Sequence, residues 1–269
     1  MGMLRKAVTH ALSRTVLPGR SKRIIFLYHD ISDPVSKQYS PAYSTQVKIF
    51  RSQVDLIAEH FKLVSLEEVV TNGSNHQKRI ASITFDDGFL SVKDEALPYL
   101  QSKGIPFSIF VNSMAIKHNR LFYGPEDPSI NRTYDSKVFL DEADIRQMAA
   151  QGISVGSHSS THRVLADCDE AGLREEVVEN KLYIESLTGT KVKHIALPFG
   201  KREHYNEQVL NFCHSVGHDY VYTTNPSYFD LALGQRLIPR LIPRLGVLNE
   251  SREELFFLIN RPLVKKIDI

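Results

Sequence analysis

The chain of 269 residues contains no tryptophan and only two cysteines, Cys168 and Cys213. Neither cysteine belongs to a CxxC pair, which argues against a zinc knuckle or a thiol redox motif. Two isolated cysteines fit a reducing compartment, although a single disulfide between them stays open. We therefore expect a cytoplasmic protein.

The sequence also lacks long apolar runs and a large excess of charge. No stretch approaches the roughly 18 consecutive apolar residues of a membrane span. The formal net charge is +2, with 42% hydrophobic and 24% charged residues, which is ordinary for a globular protein and too balanced to predict nucleic-acid binding. At this length one barrel-sized domain can bury a sizeable core.

Residues 1–22 contain no acidic residue. Leu4, Val8 and Leu12 fall on one helical face while Arg5 and Arg14 lie off it, so we predict a basic amphipathic helix. The stretch is too polar for the apolar region of a secretory signal. It is expected either to pack on the domain or to contact the inner face of the membrane peripherally. We divide the chain into this segment, 1–22, and a domain comprising residues 23–269.

From Arg23 onward, short apolar β-branched runs alternate with helical patterns. The first strand is predicted over Arg23–Asp30 and another over Arg79–Phe85, with helices between the strands. This alternation predicts a parallel, barrel-like α/β sheet. In such folds the residues that carry chemistry collect at the C-terminal ends of the strands.

The run Thr84–Gly88 (TFDDG) places two adjacent carboxylates, Asp86 and Asp87, where a buried strand should end. Two close carboxylates repel each other unless a cation or a shared proton relieves them. Gly88 frees the backbone to turn at this point. Taken alone, the run also fits an ordinary loop that carries two acids.

A second stretch, Ser157–His162, follows another predicted strand. One helical turn would place His158 and His162 on the same side, because they are four residues apart. Two histidines and one carboxylate form the protein shell of a catalytic zinc-type site, which keeps an open position for water. A pair of surface histidines is the alternative, and the TFDDG run upstream makes the metal site the better interpretation.

Together, TFDDG and His158-Ser159-x-x-His162 resemble the polysaccharide deacetylase family, also called NodB-homology or carbohydrate esterase family 4, over residues 23–247. The resemblance implies a distorted, incomplete (β/α) barrel whose members remove acetyl groups from sugars with one divalent metal ion. It implies that Asp86 is the catalytic base. It also implies that Asp87, His158 and His162 bind the metal, which we expect to be Zn²⁺.

The run Ala196–Gly200 (ALPFG) is similar to the family's third motif. That similarity implies that the backbone N–H of Phe199 stabilises the oxyanion. We expect Pro198 to contact the substrate. Tyr222, which lies in the region of the family's groove-wall tryptophan, is expected to contact it as well.

Two departures from the family pattern indicate a divergent member. Ala196 stands where the family usually has an arginine that steadies the catalytic aspartate, and residues 241–247 lack the histidine that acts as general acid. We predict that Arg244 takes over the role of the arginine, with Arg240 as the alternative. We predict that His29, at the C-terminal end of the first strand, is the general acid; the alternative is a packed residue without that role.

We therefore expect a metal-dependent deacetylase that acts on an N-acetylated (or O-acetylated) sugar of a cell-surface polysaccharide or its precursor, including a lipid-linked one. One alternative is hydrolysis of a non-sugar C–N bond, although relatives with that activity tend to lose the metal ligands. The other is a non-catalytic carbohydrate-binding protein, which the missing arginine and histidine favour and an intact Asp86 opposes.

Overall fold

The computed structural model describes residues 23–71, 79–120, 136–225 and 241–260. The helix predicted within residues 1–22 lies outside this part of the chain, as does Arg240. The division into an N-terminal segment and one domain therefore stays a prediction.

The described residues form eleven short strands, most of them buried. Their bounds are β1 Arg23–Tyr28, β2 Asp30–Ile31, β3 Ser44–Thr45, β4 Lys62–Leu63, β5 Ile80–Phe85, β6 Phe107–Val111, β7 Ser154–Ser157, β8 His194–Ala196, β9 Tyr220–Thr223, β10 Leu241–Pro243 and β11 Leu245–Gly246. Nine of them form one sheet in the order β10-β9-β8-β7-β6-β5-β1-β11, with β4 beside β5, and β2 pairs with β3 separately. The pairings between these eleven strands are all parallel.

Helices connect the strands, as the alternating sequence pattern predicts. The α-helices span Val47–His60, Leu66–Thr71, Leu97–Ser102, Ser113–His118, Glu142–Ala150, Glu170–Leu173, Asn180–Thr188, Glu207–Ser215 and Arg252–Asn260. Two π-helical segments, Val92–Ala96 and Arg174–Glu179, each continue into an α-helix. Because helices cover the outside of the sheet, all six residues of β1 and all six of β5 are buried.

Local signals fix several helix ends. Asp141 begins the helix Glu142–Ala150 with a reciprocal capping box, since its side chain accepts from the N–H of Asp144 and the carboxylate of Asp144 accepts in return. Asn206 caps Glu207–Ser215 by a single hydrogen bond, in which its side-chain oxygen accepts from the N–H of Val209.

The two edges of the sheet meet at a single residue, Arg244. β10 pairs with β9, whereas β11 pairs with β1. The N–H of Arg244 donates to Thr223 at 3.1 Å, and the N–H of Val247 donates to Leu27 at 3.0 Å. The last extended run therefore passes from one sheet edge to the other, and the sheet is nearly closed into the (β/α) barrel that the sequence predicts.

Two further features of the described residues bear on the expectations from composition. Cys168 and Cys213 are both free thiols, so the disulfide alternative is not realised. Within the described ranges, no helix combines the length and the apolar character needed to cross a membrane.

Candidate functional site

The two carboxylates of the TFDDG run face one site because the backbone turns sharply after β5. The N–H of Asp86 still follows the strand ladder and donates to Tyr28 at 3.0 Å. Asp87 then adopts a left-handed conformation with φ 69°, followed by Gly88 with φ 75°. A Cβ on Gly88 would lie 3.1 Å from Cγ1 of Val111, so the turn packs tightly against β6 as well as needing positive φ.

The histidines converge through a loop, and the expectation of a helical turn is wrong. Ser159 and His162 have left-handed φ values of 64° and 66°, which no helical turn contains. The N–H of His162 donates to Oγ of Ser159 at 3.0 Å. This local closure brings the centroids of the His158 and His162 rings to 4.9 Å from each other.

Asp87, His158 and His162 form a buried cluster whose ligand atoms all lie within 4.8 Å of one another. Oδ1 of Asp87 is 3.4 Å from Nε2 of His158 and 3.5 Å from Nε2 of His162. This oxygen is buried and accepts no hydrogen bond from the described residues. Nδ1 of His158 donates to the carbonyl of Ala196 at 2.8 Å, which leaves Nε2 with its lone pair toward the cluster.

The electrostatics of the cluster favour a cation. Burial acts to raise the pKa of Asp87, but His162 and His158 outweigh it and hold that pKa well below its usual range. Burial acts to lower the pKa of His158, yet Asp86 and Asp87 raise it. Two imidazoles and one carboxylate with an unsatisfied oxygen fit a divalent metal ion.

Arg244 holds Asp86 through a bidentate ion pair. Its two terminal nitrogens donate to Oδ1 and Oδ2 of Asp86 at 2.7 and 2.6 Å. The guanidinium is fully buried over the ring of Phe110, 5.2 Å from the centroid. Burial acts to raise the pKa of Asp86, but the charge and hydrogen bonds of Arg244 lower it below its ordinary value. The structure therefore brings Arg244 to the place where the sequence predicts an arginine.

Phe199 lies at a turn beside the cluster. It adopts a left-handed conformation with φ 59°, and its ring centroid is 4.5 Å from that of His162. Gly200 follows with φ 60° and packs so closely that a Cβ would lie 2.6 Å from the amide nitrogen of Thr224. The Phe199 side chain is half-buried, so this turn borders the site.

Pro198 and Tyr222, which we expect to contact the substrate, are both buried, and that contact stays a prediction. Tyr222 is fully buried, and its hydroxyl bonds to Nδ1 of His194 at 2.8 Å inside the barrel. Its ring centroid lies 5.9 Å from Cζ of Arg244, so it packs behind the ion pair. Pro198 is buried as well, and its carbonyl accepts from Gly200 within the turn.

His29 lies directly after β1, at the same barrel end as the cluster, and is half-buried. The electrostatic effect of His29 lowers the pKa of Asp86, after the larger effects of burial, Arg244 and His158, and it also lowers the pKa of Asp87. His29 is therefore within electrostatic range of both carboxylates. Its role as the general acid stays a prediction.

Sequence reasoning missed Asn112, which holds the histidine loop. Its Nδ2 donates to the carbonyl of His158 and, at 3.1 Å, to that of Ser159. Its position directly after β6 could have identified it, just as Asp86 is identified by its position directly after β5.

Comparison with known proteins agrees with this geometry. The family model "Polysaccharide deacetylase" matches residues 73–221, more than half of the chain. YxkH of Bacillus subtilis (strain 168), whose name places it with the polysaccharide deacetylases, is 24% identical over 222 residues, covering 81% of this chain and 69% of that protein.

Two solved structures share the fold. The deacetylase PplD of Streptococcus pyogenes, in complex with acetate, has a TM-score of 0.69 and 21% identity over 88% of this chain and 97% of that one. IcaB from Ammonifex degensii has a TM-score of 0.70 and 18% identity over 89% and 97%. With the family model matched across the site-bearing strands and both motifs assembled at one barrel end, the chain belongs to the polysaccharide deacetylase family.

Proposed function

We propose that this protein is a metal-dependent deacetylase that hydrolyses the N-acetyl group of a sugar in a cell-surface polysaccharide or its precursor. The observation that carries the proposal is the placement of Asp86. One of its oxygens lies 3.7 Å from Nε2 of His158, beside the Asp87–His158–His162 cluster, and both are fixed by Arg244.

Asp87, His158 and His162 would hold the divalent ion. When bound, such an ion supplies Lewis-acid polarisation of a carbonyl and makes water more acidic. The protein keeps these residues buried, with their ligand atoms within 4.8 Å of one another.

The remaining residues handle protons and charge. Hydrolysis adds a hydroxyl to the acyl carbon and a proton to the leaving nitrogen. Asp86 stays ionised because of Arg244, and it can therefore accept the proton that water loses. The backbone N–H of Phe199 donates to the developing oxyanion. His29 donates its proton to the leaving amine and regains one from solvent, to which Asp86 releases the proton that it took.

Arg244 also bears on the alternatives. The binding-protein interpretation rested partly on the absence of an arginine near the catalytic aspartate, and Arg244 fills that position from another strand. The interpretation as a non-sugar amide hydrolase is weakened because all three metal-ligand positions are present and converge. A deacetylase accounts for both features.

The test combines metal analysis with acetate release. Purified protein should contain about one divalent ion per chain, and it should release acetate from an N-acetylated oligosaccharide in a panel that includes free N-acetyl sugars and O-acetylated sugars. Removal of the ion with a chelator should abolish release, and added Zn²⁺ should restore it. Metal-loaded protein that binds the oligosaccharides but releases no acetate would support the binding protein instead.

A further inference from the structure

Glu176 is a buried carboxylate that the proposed chemistry does not use. It is 1% exposed, and buried glutamates are rare unless they are paired. Its Oε2 accepts from the N–H of Thr161 at 2.9 Å, and its Oε1 accepts from the hydroxyl of Thr161 at 2.5 Å. Nε of Arg163 lies 3.4 Å from Oε1. All three partner groups belong to the loop that carries His158 and His162.

The backbone around Glu176 also makes hydrogen bonds to the same loop. The carbonyl of Glu176 accepts from the N–H of Ser160 at 3.0 Å, and the carbonyl of Glu175 accepts from the Ser160 hydroxyl at 2.7 Å. Both carbonyls belong to the π-helical segment Arg174–Glu179, which lies between two regular helices. π turns are rare and frequently mark functional sites. Here the wider turn presents two carbonyls to the loop.

Asn180, four residues beyond Glu176, fixes the strand ends on which the loop is built. Its Nδ2 donates to the carbonyl of Val111 at 3.0 Å and to Oγ of Ser157 at 2.8 Å. Its Oδ1 accepts from the N–H of Ser113 at 2.7 Å. One helical segment therefore contacts both the strand end that precedes His158 and the residues that precede His162.

The loop needs such contacts because its backbone is strained. Ser159 and His162 both have positive φ, a region that side chains with a Cβ adopt at a cost. Ser160 and Thr161 lie between these two positions, and each makes two hydrogen bonds to the π segment. The contacts hold the conformation in which both Nε2 atoms face Asp87.

We propose that Glu176 is a positioning residue for the metal-ligand loop, acting through Thr161 to hold His162 in its ligating orientation. The proposal rests on the metal site proposed above. It predicts that the affinity for the metal depends on the Glu176 carboxylate although that carboxylate is no ligand. Residues that orient metal ligands typically change affinity by about 10- to 100-fold when replaced.

The experiment compares Glu176→Gln with Glu175→Gln in metal-free full-length protein titrated with Zn²⁺ and with Co²⁺. Glu175 is the matched control, because it carries the same charge on the neighbouring residue but its side chain is exposed. Glu176→Gln should bind Zn²⁺ about 10- to 100-fold more weakly than wild type and should shift the visible absorption of bound Co²⁺. Glu175→Gln should match wild type in both measurements.

A second pair of variants covers the case in which Glu176→Gln fails to fold. Thr161 is half-buried, and its hydroxyl donates to Glu176. Thr161→Val removes this hydroxyl, whereas Thr161→Ser keeps it. Thr161→Val should bind Zn²⁺ more weakly than wild type, and Thr161→Ser should bind it with wild-type affinity. Wild-type affinity and an unshifted Co²⁺ spectrum in both Glu176→Gln and Thr161→Val would overturn the positioning role while leaving the metal site intact. Wild-type protein that binds neither ion would overturn the metal site and the positioning role together.

Discussion

Replacing Arg244 with methionine should both destabilise the protein and change how its stability depends on pH. Arg244 is fully buried and Asp86 is 1% exposed, so the change leaves a carboxylate in the barrel without its cation. Removing one partner of a buried ion pair costs about 3–5 kcal/mol. Domains of this kind are stable by about 5–15 kcal/mol in total, so the loss should be large but measurable.

The sign of the pH dependence follows from the pKa of Asp86. In wild type, Arg244 outweighs burial and lowers this pKa below the unfolded value of about 3.9. The pair therefore contributes stability that is fully present above about pH 4 and is lost as the pH falls through the folded pKa. In Arg244→Met, the guanidinium that opposes the effect of burial is gone, so the pKa of Asp86 rises. The stability difference between the two proteins should be largest at neutral pH and should narrow as the variant carboxyl takes up its proton.

Urea denaturation of the metal-free proteins between pH 4 and pH 7 measures this difference. Asp86→Asn provides the control, since Arg244→Met made in that background has no carboxylate to titrate and should show a pH-independent cost. The double-mutant cycle then isolates the coupling between the two residues. A loss of stability that is the same at every pH, or the same in both backgrounds, would refute the assignment of the effect to Asp86.

Two further predictions concern the roles of individual side chains. Asp86→Asn should lower kcat for acetate release by at least about 10²-fold and leave the metal content unchanged. His158→Ala should lose both the acetate release and the metal. Near-normal turnover in Asp86→Asn would require a different base. His29→Gln should lose the alkaline limb of the pH–rate profile while keeping its metal, because a general acid is inactive once deprotonated. An unaltered bell-shaped profile in His29→Gln would exclude it as the acid.

Much of the fold was accessible from local sequence signals. Apolar β-branched runs such as Ile80–Phe85 and helical patterns such as Val47–His60 reveal their period within a few residues, and their alternation predicts a parallel sheet. In a parallel sheet, residues that directly follow strands must meet at one end. The sequence therefore predicted that Asp86, Asp87 and His158 lie at the same end of the sheet, although β6 separates the two strands that precede them.

How these residues are held depends on contacts between distant parts of the chain. Arg244 reaches Asp86 across 158 positions of the chain, because the last extended run crosses from β9 to β1 at that residue. The histidine pair converges through left-handed residues instead of a helix, and Tyr222 turns into the barrel, although alternation alone did not reveal which face it would take. Glu176 carried no signal in its own sequence surroundings. Its role depends on a π-helical segment packing against a distant loop, and contacts of that kind are set by the three-dimensional path of the backbone, which local spacing and propensity do not encode.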